Sequence, residues 1–204
     1  MKTLLYGGTF DPPHNGHLNN LRAAVRRVNP DRVGVMPAGV PPHKHASATP
    51  GQLRVEMCGC FEGSCPEVPE LVVSSWEVEQ AAAGQRNYTV TTLEMLHRAD
   101  PDARLYLAIG SDMLLTFDEW YRWEDILRLA HLVVTSRNLG DAADLHRKAK
   151  ELDPAGDHIL FAPVEALPMA SSQLRSRLAA GDPCEKELPA SVRQIIRREG
   201  LYRG

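Results

Sequence analysis

Apolar and polar positions follow two rhythms along this chain. Short, nearly continuous apolar runs stand at Lys2 to Tyr6, Arg32 to Met36, Leu71 to Ser75, Arg104 to Ile109, His131 to Thr135 and Ile159 to Ala162. Runs of that length, closed by Gly, Pro, Ser or Asp, predict strands buried on both faces. After the first run, Leu18, Leu21, Val25 and Val28 recur at helical spacing until Asn29-Pro30 stops the pattern. Further helices are predicted around Gln52 to Phe61, from a capping Thr89 through Val90, Leu93, Leu96 and His97, and over Asp141 to Glu151, Ser171 to Ala180 and Pro189 to Glu199. Two more helical segments follow Asp112, with Phe117, Trp120, Tyr121 and Trp123 in or between them. Val40 to His45 is too rich in proline for regular structure, and Ala81 to Gln85 reads as a mobile connection. Strands alternating with helices imply right-handed crossovers. The expected fold is therefore α/β: a Rossmann-like, doubly wound parallel sheet with flanking helices that takes ligands at the carboxyl ends of its strands.

A length of 204 residues suits one such domain spanning 1–204 and is short for two. With Lys+Arg 23 against Asp+Glu 26 the net charge is −3, which excludes a strongly basic nucleic-acid binder. No apolar stretch reaches membrane-spanning length, and Met1 to Tyr6 runs directly into a motif without room for a signal peptide. A cytoplasmic protein is expected, and a homo-oligomer stays open. Cys58, Cys60, Cys65 and Cys184 show no C-x-x-C pair, so they read as small core fillers rather than a disulfide or zinc framework.

The first loop carries the chemistry. Gly7-Gly8-Thr9-Phe10-Asp11-Pro12-Pro13-His14-Asn15-Gly16-His17 bridges a strand and a helix. Paired glycines remove bulk so that phosphate can approach backbone N–H groups, and a helix starting near His14 points its positive end at the same place. His14 and His17, three apart, share a helix face, where imidazoles can donate to charge developing on a phosphoryl group. Spacing alone equally fits a capping histidine followed by a core histidine; the preceding Gly7-Gly8-Thr9 favours phosphate. A zinc pair would be four apart with an adjacent glutamate, and no metal site of the protein's own is expected. Asp11 reads as a turn former before Pro12, and Asp112 as either a helix cap or a ligand contact. Ser171, Ser172 and Arg175 put hydroxyls, free N–H groups and a guanidinium at another helix start, which suits a polyphosphate. Of the clustered tryptophans, Trp123 reads as core and Trp120 as a stacking platform.

These motifs, together with Pro41-Pro42-His43-Lys44, Tyr88-Thr89-Val90-Thr91-Thr92-Leu93, Gly110-Ser111-Asp112-Met113, Trp120-Tyr121-Arg122 and Gly200-Leu201-Tyr202, resemble the bacterial nicotinate-nucleotide adenylyltransferases over nearly the whole chain. The family's late motif reads Ile-Ser-Ser/Ala-Thr-x-x-Arg; here Met169, Ala170, Ser171 and Ser172 precede Arg175, so Ala170 replaces a serine and Ser172 a threonine. The resemblance implies transfer of AMP from ATP to nicotinic acid mononucleotide, with Mg²⁺ accompanying ATP. It implies His14, His17 and Arg175 as catalytic residues, with Gly8, Thr9, Phe10, His17, Gly110, Asp112, Ser171, Ser172 and Arg175 along ATP. Lys44, Thr89, Asp112, Trp120 and Tyr121 would hold the mononucleotide, and the helices of 171–204 would complete the ATP phosphate site. Transferases acting on nicotinamide mononucleotide or phosphopantetheine are the rivals within enzymes, and a catalytically silent nucleotide sensor is the rival outside them. No nucleic-acid or membrane partner is expected.

Overall fold

The structure, a computed structural model, describes residues 1–40, 49–136, 142–165, 167 and 169–203. Its strands are β1 (Lys2–Gly8), β2 (Arg32–Pro37), β3 (Glu70–Val73), β4 (Arg104–Gly110), β5 (Ala130–Ser136) and β6 (Ile159–Pro163). They form one six-stranded sheet in the order β3-β2-β1-β4-β5-β6. Every pairing is parallel, with Leu5 of β1 opposite Leu107 of β4 and Gly8 opposite Pro37 of β2. This is the doubly wound order, and its direction reverses between β1 and β4.

Nine helices flank the sheet among the described residues: α1 (Asn15–Val28), α2 (Gly51–Cys58), α3 (Trp76–Ala82), α4 (Thr89–Ala99), α5 (Ser111–Leu115), α6 (Trp123–Leu129), α7 (Ala142–Leu152), α8 (Ser171–Ala179) and α9 (Ala190–Glu199). Successive strand residues point to opposite faces, so Leu4 joins Leu21, Val25 and Val133 in one core while Leu5 joins Val90, Leu107 and Phe117 in the other. Full burial of a side chain such as Leu4 or Leu21 contributes roughly 1.5–3 kcal/mol. A third cluster, with Met57, Leu174, Leu188 and Val192, fastens α8 and α9 to α2. α1 ends where Asn29 turns left-handed at φ 50 and returns its N–H to Val25.

Two differences from the sequence reading affect the site. The segment before the supposed mobile connection is helix α3, which runs into Ala82 before a turn at Ala83 and Gly84. Only Val78 of α3 is buried, so no periodic apolar stripe marks it in the sequence. Thr89 does not cap α4; Tyr88 occupies the cap position and makes no side-chain cap bond. Residues 41–48, with Lys44, and Asp141 lie outside the described residues. Among the described residues no helix is long and apolar enough to cross a membrane.

Candidate active site at the reversal point of the sheet

A cleft of about 1090 Å³ opens over the carboxyl ends of β1 and β4. Gly8, Thr9, Phe10, His14 and His17 line it from the turn after β1. Gly110 and Asp112 enter from β4 and α5, and Ser171, Ser172 and Arg175 from α8. Thr89, Trp120 and Tyr121 form the remaining wall. Every predicted site residue that the structure describes therefore reaches one cavity.

His14 is the cap residue of α1 and is buried, while His17 is half-exposed. Their imidazoles stack with centroids 3.7 Å apart and planes 24° apart. The His14 backbone N–H donates to His17 Nδ1 at 3.2 Å. With Nδ1 accepting, a neutral His17 carries its ring proton on Nε2 and is a donor there. Phe10 meets His17 edge-on at 5.1 Å and is itself held at φ 49, a left-handed backbone that costs about 1–3 kcal/mol. Its ring, 2% exposed and packed against Tyr6 and Phe61, offsets that strain.

The glycines divide the work differently from the sequence reading. A Cβ on Gly8 would fall 2.8 Å from the Phe10 ring, so Gly8 makes room for that side chain. Gly7 is the open one, since its added Cβ would find nothing nearer than the Met36 carbonyl at 3.9 Å. A Cβ on Gly16 would stand 3.0 Å from the His14 ring and 3.1 Å from Met169 Cγ. Gly16 is thus what lets the His14 imidazole pack against its own helix.

The anion-binding helix start also moves. The N–H groups expected to face phosphate from α1 are occupied: Asn15 donates to the Glu187 carbonyl at 2.8 Å, Gly16 to Met169 Sδ at 3.2 Å and His17 to the His14 carbonyl at 2.9 Å. At α8 the cap residue is Ala170, which has no side-chain oxygen, and among the described residues nothing accepts the N–H of Ser172 or Gln173. Ser171 is not free for a ligand, because its hydroxyl donates to the Pro12 carbonyl at 3.0 Å. Arg175 Nη1 donates to the Asp11 carbonyl at 2.7 Å. Imidazoles from α1 thus face an open helix start and a guanidinium from α8.

Beneath the loop lies a charged group that the sequence reading missed. Asp11 is buried, and its Oδ1 accepts the Tyr202 hydroxyl at 2.5 Å. Arg54 of α2, 3% exposed, donates to the Thr9 carbonyl at 2.8 Å. Burial pulls the Arg54 guanidinium below its usual range, and the Asp11 charge opposes that. Glu77 of α3 lines the cleft and accepts the Thr92 hydroxyl at 2.7 Å. Burial pushes its carboxyl up, against the lowering effect of that bond and of the Gly39 N–H. No periodicity announces a buried arginine, and Glu77 was hidden with its helix.

At the other wall, Thr89 is the first residue of α4, and among the described residues neither it nor Val90 has an acceptor for its N–H. Tyr121, 54% exposed, lays its ring against Tyr88 at 4.5 Å. Trp120 is half-buried against Phe117 at 5.2 Å and keeps a side toward the cleft; Trp123 is also only half-buried. Asp112 is exposed in α5 and does not cap it, Gly110 being the cap residue without a side-chain bond.

Stacked imidazoles at a strand-to-helix turn, over the reversal point of a parallel sheet, define a nucleotidyl-transferring class of α/β protein. The chain matches the cytidylyltransferase-like family over residues 5–177 and belongs to it. It is 38% identical over 213 residues to a protein of Acidithiobacillus ferrooxidans named "Probable nicotinate-nucleotide adenylyltransferase", covering 98% of this chain and 94% of that one. A Shigella boydii protein of the same name is 34% identical over 220 residues, covering all of both. These identities put the chain in the nicotinate-nucleotide adenylyltransferase branch. The fold matches that of Plasmodium falciparum nicotinic acid mononucleotide adenylyltransferase complexed with NaAD, with a TM-score of 0.77 at 16% identity over 99% of this chain and 98% of that one.

Proposed function

We propose that this protein transfers AMP from ATP to nicotinic acid mononucleotide, giving nicotinic acid adenine dinucleotide and pyrophosphate for NAD biosynthesis in the cytoplasm. An oxygen of the mononucleotide phosphate attacks the α-phosphorus of ATP, and the bond from that phosphorus to the β-phosphate oxygen breaks. The nucleophile is already anionic, so no general base is needed; the work is alignment and neutralisation of charge. The observation that carries this reading is the stacked His14 and His17 pair lining the cleft, with the His14 N–H on His17 Nδ1. Both imidazoles serve as donors to the oxygens of the reacting phosphorus.

Arg175, Ser172 and the open start of α8 grip the outer phosphates, so residues 171–204 complete the ATP site within a single domain. Gly8, Thr9 and Phe10 run along the nucleotides, and Gly110 and Asp112 contact ribose or base. Mg²⁺ accompanying ATP would neutralise part of the phosphate charge beside Arg175. Trp120 stacks on the pyridine ring, the N–H groups at Thr89 and near Tyr121 receive its carboxylate, and Lys44 meets the mononucleotide phosphate. The test is pyrophosphate release with ATP and nicotinic acid mononucleotide, run beside nicotinamide mononucleotide. Release dependent on the acid mononucleotide is expected; no release with either would make this a nucleotide-binding protein without transferase activity.

A further inference from the structure

Asp11 places a carboxylate beside Arg175, the guanidinium assigned to the ATP phosphates. Its Oδ2 and Arg175 Nη1 form a long ion pair at 3.9 Å, which a small side-chain shift would tighten. Such a pair would compete with the ATP phosphates for the one guanidinium that α8 brings to the cleft. The closer partner of Arg175 is the Asp11 backbone carbonyl at 2.7 Å, a neutral acceptor that orients the guanidinium without cancelling its charge. A donor to the carboxylate comes from far along the chain: the Tyr202 hydroxyl, at 2.5 Å from Oδ1.

We infer that Tyr202 is a positioning residue for ATP: its hydroxyl engages Asp11 so that Arg175 stays available to the outer phosphates. The hydrogen-bond polarity is fixed by a third residue, since Thr49 Oγ1 donates to the Tyr202 oxygen at 3.4 Å and leaves the phenolic proton to Asp11. Tyr202 stays protonated under working conditions, because burial and then the neighbouring carboxylate hold its hydroxyl well above the usual phenol range. Arg54 supports the arrangement from below through the Thr9 carbonyl, fixing the backbone from which Asp11 projects. Sequence order makes the contact selective for the finished fold, as 191 positions separate the two partners.

This inference rests on the reading that Arg175 binds the phosphates of ATP, and the test separates the two. Steady-state KM for Mg-ATP and for nicotinic acid mononucleotide, with kcat, are measured for the wild type, Tyr202→Phe, Asp11→Asn, the double variant and Arg175→Gln. Tyr202→Phe keeps the buried ring and is expected to raise the KM for ATP about fivefold to tenfold, with the mononucleotide KM within about twofold of wild type. In the Asp11→Asn background, where no anion remains to capture Arg175, the same substitution is expected to change the ATP KM less than about twofold. Equal changes in both KM values, or an unchanged ATP KM in Tyr202→Phe while Arg175→Gln raises it, overturns the inference and leaves the Arg175 reading intact. An ATP KM unmoved by Arg175→Gln removes the reading itself, and the inference with it. If Asp11→Asn does not yield folded protein, the KM split of Tyr202→Phe decides alone.

Discussion

The backbone N–H of His14 holds the ring of His17, while the ring of His14 lies flat against it at 3.7 Å. Each histidine therefore fixes the other, and the outward donor of His17 is set before any substrate arrives. His17→Ala should lower kcat by about 10²–10³, as loss of a preorganised donor to a transition-state oxygen does. His17 is half-exposed, so the melting temperature should change little. Turnover measured beside thermal melting checks this, and near-normal turnover in a folded variant would remove His17 from the mechanism. His14→Ala should behave similarly, with a larger effect on ATP affinity.

Gly16→Ala separates stability from activity. In an isolated helix the change would stabilise by roughly 0.5–1 kcal/mol. Here the new methyl would lie 3.0 Å from the His14 ring and 3.1 Å from Met169 Cγ, so the imidazole must yield by a few tenths of an ångström. The expected result is about a tenfold loss of kcat with a melting temperature close to wild type. Full activity would show that the position of the His14 ring is not critical.

Ala170→Ser restores a cap hydroxyl at the start of α8. A cap of that kind stabilises by about 1 kcal/mol, which for a chain of this size is roughly 2–4 °C in Tm. The new hydroxyl would accept from the N–H of Ser172 or Gln173 only until phosphate displaces it, and Arg175 and Ser172 keep their contacts, so the rate should change only slightly. Calorimetry and initial rates on the same preparation test both halves.

Selectivity should favour the acid mononucleotide over the amide. N–H groups at Thr89 and Val90 are donors only, and the start of α4 favours an anion. A carboxamide must turn its NH₂ toward one of these donors and leave a hydrogen bond unmade, at roughly 1–3 kcal/mol. Comparison of kcat/KM for the two substrates is decisive, and equal values would contradict the assignment. Trp120→Ala should raise both KM values while keeping much of their ratio, since stacking senses the ring and the donors sense its charge.

Asp153 gives a pH dependence of folding. It is buried, and burial would push its carboxyl up, but N–H bonds from His158 at 2.7 Å, Ile159 at 3.1 Å and Gly156 at 3.2 Å bring it below the usual range. A depressed folded-state value means that its contribution is complete above the unfolded carboxyl range, near pH 4, and is lost as pH falls through the folded value. Asp153→Asn should therefore be less stable at pH 7, on the order of 1–2 kcal/mol, and lose less on acidification. Parallel melting curves for the two proteins from pH 7 to pH 3 should converge. Parallel curves with a constant gap would assign the stability to something other than the charge.

The six strands were legible because each is a short apolar run between turn residues, a local signal. The motif residues His14, His17, Ser172 and Arg175 were legible for the same reason. What escaped was decided by partners far away in sequence. The helix starting at Asn15 looked like an anion site until its N–H groups proved to be taken by Glu187 and Met169, and Gly8 looked like a phosphate glycine until the Phe10 ring filled its space. Arg54 and Tyr202 carry no local mark at all; their roles exist only once α2 and the residues after α9 meet the first loop.

That meeting also sets when the protein can work. The turn bearing both histidines is synthesised long before its cap partners at Met169, Lys186 and Glu187 and its anchor at Tyr202. A nascent chain can pair β1 with β2 early, but it cannot assemble the phosphate grip until α8 and the segment beyond α9 have docked. A chain cut short before Tyr202 should therefore bind and turn over nucleotide poorly even with both histidines in place.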